Sequence, residues 1–128
     1  MANILLADDE KDVVTLIKFL LERDGHHITE AFDGAQVLAQ LGIDPPATPT
    51  LPDLLILDVM MPRVDGYTVS RRLMEQEHTR RLPVLVLTAR GQMKDLFQAV
   101  TNVSSYLEKP FDPAKLRETV SAILKKKA

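Results

Sequence analysis

The sequence predicts an α/β domain in which helices cover both faces of a five-stranded parallel sheet. Five short apolar segments alternate with five helical patterns along the 128 residues. The strand segments are apolar throughout, which is typical of strands buried on both faces. Right-handed crossovers place helices on both faces of such a sheet, so the alternation predicts a doubly wound fold. The length, with 45% apolar and 27% charged residues, predicts one globular domain over residues 1–128.

The first two strand and helix pairs follow from short apolar runs. Ile4–Ala7 is the first predicted strand, and His27–Ala31 is the second. Between them, apolar side chains recur at the spacing of one helical face, which predicts a helix that ends before Gly25. These side chains are Val13, Leu16, Ile17, Leu20 and Leu21. Asp33-Gly34 forms a turn or cap before a short helix that Gly42 closes.

The middle of the chain contains a loop, a strand and a helix. Residues 44–52 form a proline-rich loop, and Leu54–Leu57 is a third apolar strand that ends at Asp58. Gly66 begins the next helix. Its inward side chains are predicted to be Val69, Leu73 and Met74.

The last part of the chain supplies two more strands and two more helices. Val84–Leu87 is the fourth predicted strand, which ends at Thr88, and Ser105–Glu108 is the fifth. A moderately helical pattern over Gln92–Val100 predicts the fourth helix. Asp112-Pro113 suits the cap and first position of the last helix. Its apolar stripe consists of Leu116, Val120, Ile123 and Leu124.

The composition excludes several function classes. The chain contains no cysteine, which excludes disulfides, thiolate metal sites and a cysteine nucleophile. No apolar run approaches the roughly 18 residues that a membrane span needs, and the first residues lack the order of a signal peptide. These observations predict a cytoplasmic protein.

The net charge of −2 conceals an asymmetry between the two halves. Residues 1–62 carry 11 acidic and 3 basic side chains, whereas residues 63–128 carry 7 acidic and 13 basic ones. The basic residues are scattered on predicted helices, and few aromatic residues could stack on bases. Direct nucleic-acid binding is therefore not favoured.

Polar side chains stand where the predicted strands end: Asp8, Asp9, Asp58, Thr88 and Lys109. In a doubly wound sheet, the functional crevice lies beyond the carboxyl ends of the strands. Two like charges about 4 Å apart repel by roughly 4 kcal/mol at an effective dielectric near 20, so three carboxylates there require a cation. Mg²⁺ prefers such oxygen ligands, and Lys109 can offset part of the remaining charge.

A purely structural interpretation also exists for each of these residues. Asp8 and Asp9 could simply cap the first helix, which is the more common use of such a pair. Thr88 and Lys109, taken singly, are ordinary polar residues. Asp58 does not fit this interpretation, because apolar residues surround it in the sequence.

Four short motifs occur in a defined order along the chain. They are Asp8-Asp9, the stretch from Asp58 to Gly66, Leu87-Thr88-Ala89, and the stretch from Tyr106 to Phe111. In this order and spacing they resemble the receiver domain of bacterial response regulators, the phosphoacceptor domain of two-component signalling. The resemblance covers essentially the whole chain. It implies a flavodoxin-like topology, here as a single receiver domain without an effector domain.

The resemblance implies a role for each site residue. Asp58 would be the phosphoacceptor, and Lys109 and Thr88 would contact the phosphoryl group. Asp8, Asp9, Asp58 and the backbone carbonyl of Met60 would bind Mg²⁺, with Asp8 acting through water. The phosphoryl donor would be a sensor histidine kinase, a phosphotransfer protein or a small acyl phosphate.

The resemblance also implies a switch. Thr88 would bond to the phosphoryl group, and Tyr106 would turn into the space that Thr88 leaves, although Tyr106 could equally be an ordinary half-buried strand residue. The Lys109-Pro110 bond would be cis. The output surface would be the fourth helix, the fifth strand and the last helix, roughly Gln92–Lys127, which would contact a downstream protein. The chain would be a monomer or a phosphorylation-dependent dimer.

Some features depart from the family pattern. The loop at residues 44–52 is longer than usual, and its position predicts no chemical role. The segment between Thr88 and Lys109 is about one residue short, which makes the fourth helix the least secure element. Met60 and Arg90 flank the site, and we expect these bulky side chains to hinder an attacking water and to lengthen the phosphorylated lifetime.

We expect the phosphoacceptor switch to assist only its own phosphorylation and dephosphorylation, so it would not be an enzyme. Two other functions compete with this interpretation. A Mg²⁺-dependent phosphohydrolase also uses an aspartate nucleophile, but it generally needs a carboxylate two residues later, where this chain has Met60. A flavin or nucleotide binder would need a phosphate loop after the first strand. The acidic stretch Asp8-Asp9-Glu10 is hostile to such a loop.

Overall fold

The computed structural model of the protein describes residues 2–89 and 103–127, which form five strands and four helices. The strands are β1 (Asn3–Ala7), β2 (His27–Ala31), β3 (Leu54–Asp58), β4 (Val84–Ala89) and β5 (Val103–Lys109). The helices are α1 (Lys11–Arg23), α2 (Gly34–Gln40), α3 (Gly66–Glu75) and α4 (Pro113–Lys127). The predicted helix over Gln92–Val100 lies outside the described residues.

All five strands pair in parallel in the order β2-β1-β3-β4-β5. The two neighbours of β1 are therefore β2 on one side and β3 on the other, which makes the carboxyl ends of β1 and β3 the switch point of the sheet. Ligand crevices in open α/β sheets form at this point. The predicted parallel, doubly wound sheet is confirmed.

Successive residues of each strand point to opposite faces, and each face has its own apolar core. On one face, Leu55, Leu57 and Val86 belong to a cluster with residues of α2 and α3. On the other face, Ile56 and Leu85 belong to a cluster with residues of α1 and α4. This two-sided burial explains why the strands are apolar along their whole length.

The inward face of α1 differs from the predicted stripe. Leu16 is 43% exposed, whereas Val14, Ile17 and Leu21 are buried against the sheet. Val13 and Leu20 are only partly buried at the edge of this contact. The prediction was wrong about Leu16 because α1 carries apolar residues around more than half of its circumference, so spacing alone left its orientation open.

An aspartate side chain accepts a backbone hydrogen bond at the start of three of the helices. Asp33 Oδ1 accepts a hydrogen bond from the Gln36 N–H at 2.8 Å at the start of α2, and Asp65 does the same for Thr68 in α3. Asp112 accepts one from the Ala114 N–H at 2.9 Å at the start of α4. These bonds satisfy amide groups that have no partner within the helix.

The proline-rich loop lies at the amino ends of the strands, far from the switch point. Leu51 packs against the core on the α2 and α3 side, and Ile43 bridges to Pro46. Just after the loop, the Asp53 N–H donates a hydrogen bond to the Asn3 carbonyl oxygen. The Asn3 N–H in turn donates one to the Asp53 carboxylate. The loop therefore stands away from Asp58, as predicted. None of the helices in the described ranges combines the length and apolar character needed to cross a membrane.

Candidate functional site

Three strand ends bring charged side chains together at the switch point. Asp8 follows β1, Asp58 is the last residue of β3 and Lys109 is the last residue of β5. The Lys109 Nζ atom lies 2.7 Å from Asp8 Oδ2 and 3.5 Å from Asp58 Oδ1. The structure thus brings together three residues that the sequence predicted separately, although 50 residues separate the two carboxylates along the chain.

Asp58 is a carboxylate that water barely reaches. Only 4% of the residue is exposed. Burial raises the pKa of Asp58 to about 7, the nearby Asp8 charge adds to this rise, and Lys109 opposes it. At neutral pH the group is therefore only partly ionised unless further positive charge approaches it. A buried acid with a perturbed pKa in a crevice is typical of a functional site.

A third carboxylate, which the sequence did not predict, also contacts Lys109. The Nζ atom of Lys109 lies 2.9 Å from Glu10 Oε1, a contact across 99 residues of sequence. Burial lowers the pKa of Lys109, but its hydrogen bonds to Asp8 and Glu10 outweigh that effect and raise the pKa above its ordinary value. The ammonium group therefore stays charged at the site. Glu10 was missed because nothing in its sequence position distinguishes it from a solvated residue at the start of a helix.

The acidic residues at the site fit a hard divalent cation. One carboxylate oxygen from each of Asp8, Asp9 and Asp58 lies within 4.8 Å of the others. Asp8 and Asp58 are buried, whereas Asp9 is exposed. Oxygen donors at this spacing suit Mg²⁺, which binds a few carboxylates and keeps part of its water shell.

Asp8 does not cap the first helix, since the N-cap of α1 is Glu10 and no side chain makes a capping hydrogen bond there. Its Oδ1 atom accepts a hydrogen bond from the Glu10 N–H at 2.9 Å, just before α1. Its Oδ2 atom faces Lys109. One oxygen of Asp8 therefore holds the turn before α1, and the other faces the lysine.

Thr88 and Tyr106 lie on neighbouring strands beside this cluster. Thr88 is fully buried, and its Oγ1 has no hydrogen-bond partner among the described residues. Tyr106 pairs with Val86, and both pack in the core on the α2 and α3 side. Alternate residues of a strand share a face, so Thr88 points to the same side of the sheet as Val86. Tyr106, the partner of Val86 on β5, points to that side as well. Burial raises the pKa of Tyr106.

The loop after β3 is tightly packed against two glycines. A Cβ atom on Gly66 would lie 2.4 Å from the Asp58 carbonyl oxygen, and one on Gly34 would lie 1.9 Å from that of Val64. Arg63 in this loop has a positive φ of 72°. Met60, by contrast, points outward and is 59% exposed. The backbone of the loop is thus fixed close to Asp58 while the Met60 side chain faces solvent.

Two remaining expectations concern the end of β5 and the segment after β4. The Lys109-Pro110 peptide bond is cis, as the resemblance implies, and Asp44-Pro45 is cis as well. Arg90, the second residue expected to flank the site, lies outside the described residues.

The fold and the site together define an α/β domain with a buried aspartate at the switch point of its parallel sheet. The sequence model of the response regulator receiver domain matches residues 4–121, so the chain belongs to that family. The motif resemblance noted above is therefore confirmed. Receiver domains are phosphoacceptor domains of phosphorelay signal transduction, and nothing favours the phosphohydrolase alternative.

Relatives and solved structures agree on this family. The chain is 39% identical over 127 residues to the DNA-binding dual master transcriptional regulator RpaA of Synechocystis, covering 98% of this chain and 50% of that protein. It is 36% identical over 125 residues to the alkaline phosphatase synthesis transcriptional regulatory protein PhoP of Bacillus subtilis, covering 97% and 49%. The chain therefore spans about half the length of these regulators.

Two solved receiver domains have the same fold. The Francisella response regulator 1452 receiver domain superposes with a TM-score of 0.82 at 26% identity, covering all of both chains. The receiver domain of the sensor histidine kinase PA1611 from Pseudomonas aeruginosa also gives 0.82, at 28% identity over 97% of this chain and 98% of that one. That structure holds a magnesium ion coordinated in the active-site cleft.

Proposed function

We propose that this chain is a phosphorylation-operated switch in which Asp58 accepts the phosphoryl group. The observation that carries this assignment is the buried Asp58 carboxylate with the Lys109 ammonium 3.5 Å from its Oδ1 atom. The donor is the phosphohistidine of a sensor histidine kinase or phosphotransfer protein, or a small acyl phosphate. We place the protein in the cytoplasm, with a downstream protein as its target.

Asp8, Asp9 and Asp58 would hold Mg²⁺, together with the backbone carbonyl of Met60. The clustered carboxylate oxygens support this assignment. When bound, the ion supplies positive charge that neutralises the phosphoryl oxygens and favours the ionised form of Asp58. The exposed Met60 side chain does not interfere, since the proposed ligand is a main-chain oxygen.

In the transfer step, an oxygen of the Asp58 carboxylate forms a bond to phosphorus as the donor bond breaks. For phosphohistidine, the electron pair of the N–P bond returns to the imidazole nitrogen, so the reaction needs no oxidant or reductant. Lys109 offsets the charge on the phosphoryl oxygens, and Asp8 and Glu10 hold its ammonium group in place. Positioning and charge compensation are the main contributions a protein makes to phosphoryl transfer.

Phosphorylation would then change the packing beside Asp58. The phosphoryl group brings three acceptor oxygens close to Thr88, whose buried hydroxyl has no hydrogen-bond partner among the described residues. A bond between them would draw Thr88 toward Asp58, and Tyr106 lies on the same side of the sheet to occupy the space left. We propose that this movement changes an output surface that includes β5 and α4.

The test is phosphorylation by acetyl phosphate in the presence of Mg²⁺, followed by intact-mass measurement. We expect one phosphoryl adduct on the parent protein and none on Asp58→Asn. Asp12→Asn is the matched control, since Asp12 is an exposed aspartate of α1 outside the site. Absence of an adduct, or repeated turnover of a phosphate ester, would contradict the proposal.

The lifetime of the adduct provides a second test. We propose that Met60 and Arg90 slow the attack of water on the aspartyl phosphate. Replacing both by serine should speed dephosphorylation severalfold, as measured by loss of the adduct after removal of acetyl phosphate. An unchanged rate would show that neither side chain shields the phosphoryl group.

A further inference from the structure

Glu10 contacts Lys109 from a position that the main chain fixes on both sides. The Glu10 N–H donates a hydrogen bond to Asp8 Oδ1 at 2.9 Å, and the Glu10 carbonyl oxygen accepts one from the Val14 N–H at 3.1 Å as α1 begins. These two bonds fix the point from which the side chain extends, and its Oε1 atom lies 2.9 Å from Lys109 Nζ. The contact therefore joins the start of α1 to the end of β5.

The three carboxylates around Lys109 differ in their other contacts. Asp8 and Asp58 are buried and belong to the oxygen cluster proposed to hold Mg²⁺, whereas the Glu10 side chain is 60% exposed and lies outside that cluster. Asp8 Oδ1 accepts the Glu10 N–H, and Asp8 Oδ2 lies 2.7 Å from Lys109 Nζ. A cation that binds Asp8 must therefore compete with Lys109 for Oδ2.

We propose that Glu10 is a positioning residue that keeps the Lys109 ammonium beside Asp58 when Mg²⁺ binds the carboxylate cluster. Lys109 loses oxygen partners to a bound cation, and like charges repel, so it needs a carboxylate outside the metal ligands to stay near Asp58. Glu10 is that carboxylate, because it contacts Nζ without belonging to the cluster. This role rests on the proposed function, in which the ammonium group must remain close to the phosphoryl group.

The experiment measures the affinity for Mg²⁺ without any phosphoryl donor, by titration of backbone amide signals in NMR spectra. Glu10→Asp keeps the charge and suits the N-cap position of α1, but its shorter side chain loses the contact with Lys109. Lys109 then competes more strongly with the ion for Asp8 and Asp58, so we expect this variant to bind Mg²⁺ about threefold more weakly than the parent. Glu22→Asp, at an exposed position of the same helix, is the matched control and should bind Mg²⁺ as the parent does.

A double-mutant comparison tests whether Glu10 acts through the lysine. In a Lys109→Gln background, Glu10→Asp should leave the affinity for Mg²⁺ unchanged, because no ammonium group remains to be held. The same change in the parent background should also lower the maximal rate of adduct formation at saturating Mg²⁺ by about threefold, as measured with varied acetyl phosphate. A residue that only stabilised the start of α1 would not show this dependence on Lys109.

Three results would overturn the proposal. The first is a Glu10→Asp variant that binds Mg²⁺ as tightly as the parent, and the second is equal weakening in the Lys109→Gln background, which would show that Glu10 acts on the metal site directly. The third is a parent protein that does not bind Mg²⁺. A parent that shows the expected Mg²⁺ affinities but no adduct at Asp58 would support the role of Glu10 and contradict the phosphoacceptor assignment, so the two failures are distinguishable.

Discussion

The hydroxyl of Thr88 bears on the stability of the protein and on the proposed switch. It is fully buried and has no hydrogen-bond partner within the described ranges. A buried polar group without a partner costs about 1–3 kcal/mol of desolvation. Without a partner the hydroxyl would destabilise the unphosphorylated protein, and a phosphoryl oxygen on the proposed acceptor Asp58 would remove this cost. The proposed bond from Thr88 to the phosphoryl group would therefore favour the phosphorylated conformation.

Thr88→Val should stabilise the unphosphorylated protein by about 1 kcal/mol, because valine has nearly the same shape and no hydroxyl to desolvate. Urea unfolding without Mg²⁺ or phosphoryl donor measures the difference. Thr88→Ser is the control, since it keeps the hydroxyl, loses a buried methyl group and should be about 1 kcal/mol less stable than the parent. A Val variant less stable than the parent would mean that the hydroxyl has a partner.

The residues at the strand ends could be predicted, whereas their mutual contacts could not. Asp8, Asp58 and Lys109 were identified because parallel strands end at the same edge of a sheet. The contact from Lys109 to Glu10 depends on side-chain rotamers and on the path of the chain across 99 residues. Residue type and position do not determine these quantities. The clustered strand-end residues were thus predictable, but the third carboxylate beside the lysine was not.

At the scale of elements, the start of α2 acts as a support for the loop that follows Asp58. Gly34 leaves no space for a Cβ atom, which would stand 1.9 Å from the Val64 carbonyl oxygen and 2.6 Å from the Val64 Cβ. Arg63, next to Val64, lies 3.8 Å from the Asp33 carboxylate. The loop that carries the proposed Met60 ligand is therefore packed between β3 and α2.

Gly34→Ala should destabilise the protein by about 1–3 kcal/mol, the usual range for overpacking, and should slow adduct formation at Asp58. Helix propensity alone predicts the opposite sign, since alanine is favoured over glycine by about 1 kcal/mol. Ala39→Gly, at an exposed position of the same helix, measures how much the difference in helix propensity between alanine and glycine contributes to stability. Urea unfolding and adduct kinetics supply the measurements. A Gly34→Ala protein as stable as the parent would show that the loop is not confined there.

The orientation of elements was harder to predict than their existence. All five strands and the four described helices occur where the sequence predicted them, because apolar periodicity and capping residues are local signals. The rotation of α1 was predicted wrongly at Leu16, because Val14 and Leu16 are equally apolar. Contact with the sheet buries Val14, and this contact is a tertiary property that no local pattern contains.

At the scale of the whole molecule, the acidic and basic halves of the chain meet in ion pairs. Lys109 contacts Asp8, Glu10 and Asp58 of the acidic half. Arg117 of α4 contacts Asp24 at the end of α1. The net charge of −2 is thus the sum of two halves that partly neutralise each other.

The Asp24 and Arg117 pair joins the first helix to the last one. Its two hydrogen bonds, at 2.9 Å from Nε and 2.6 Å from Nη2, form a bidentate contact across 93 residues. The hydrogen bond to Arg117 lowers the pKa of Asp24 below its ordinary value of 3.8. The resulting stabilisation is therefore fully present above pH 3.8 and is lost as the pH falls through the lower, folded-state pKa.

Asp24→Asn should cause a small loss of stability at pH 7, because the pair is exposed to solvent and salt. The difference from the parent should shrink as the pH falls below about 4, where the aspartate of the parent begins to lose its charge. Unfolding by urea across this pH range gives the comparison. Arg117→Gln should add no further loss when it is combined with Asp24→Asn, since the partner is already gone. Glu22→Gln, at an exposed neighbouring position, is the control and should show no such loss. Equal losses in the Asp24 and Glu22 variants would mean that the net charge of the protein, and not the contact between α1 and α4, determines the result.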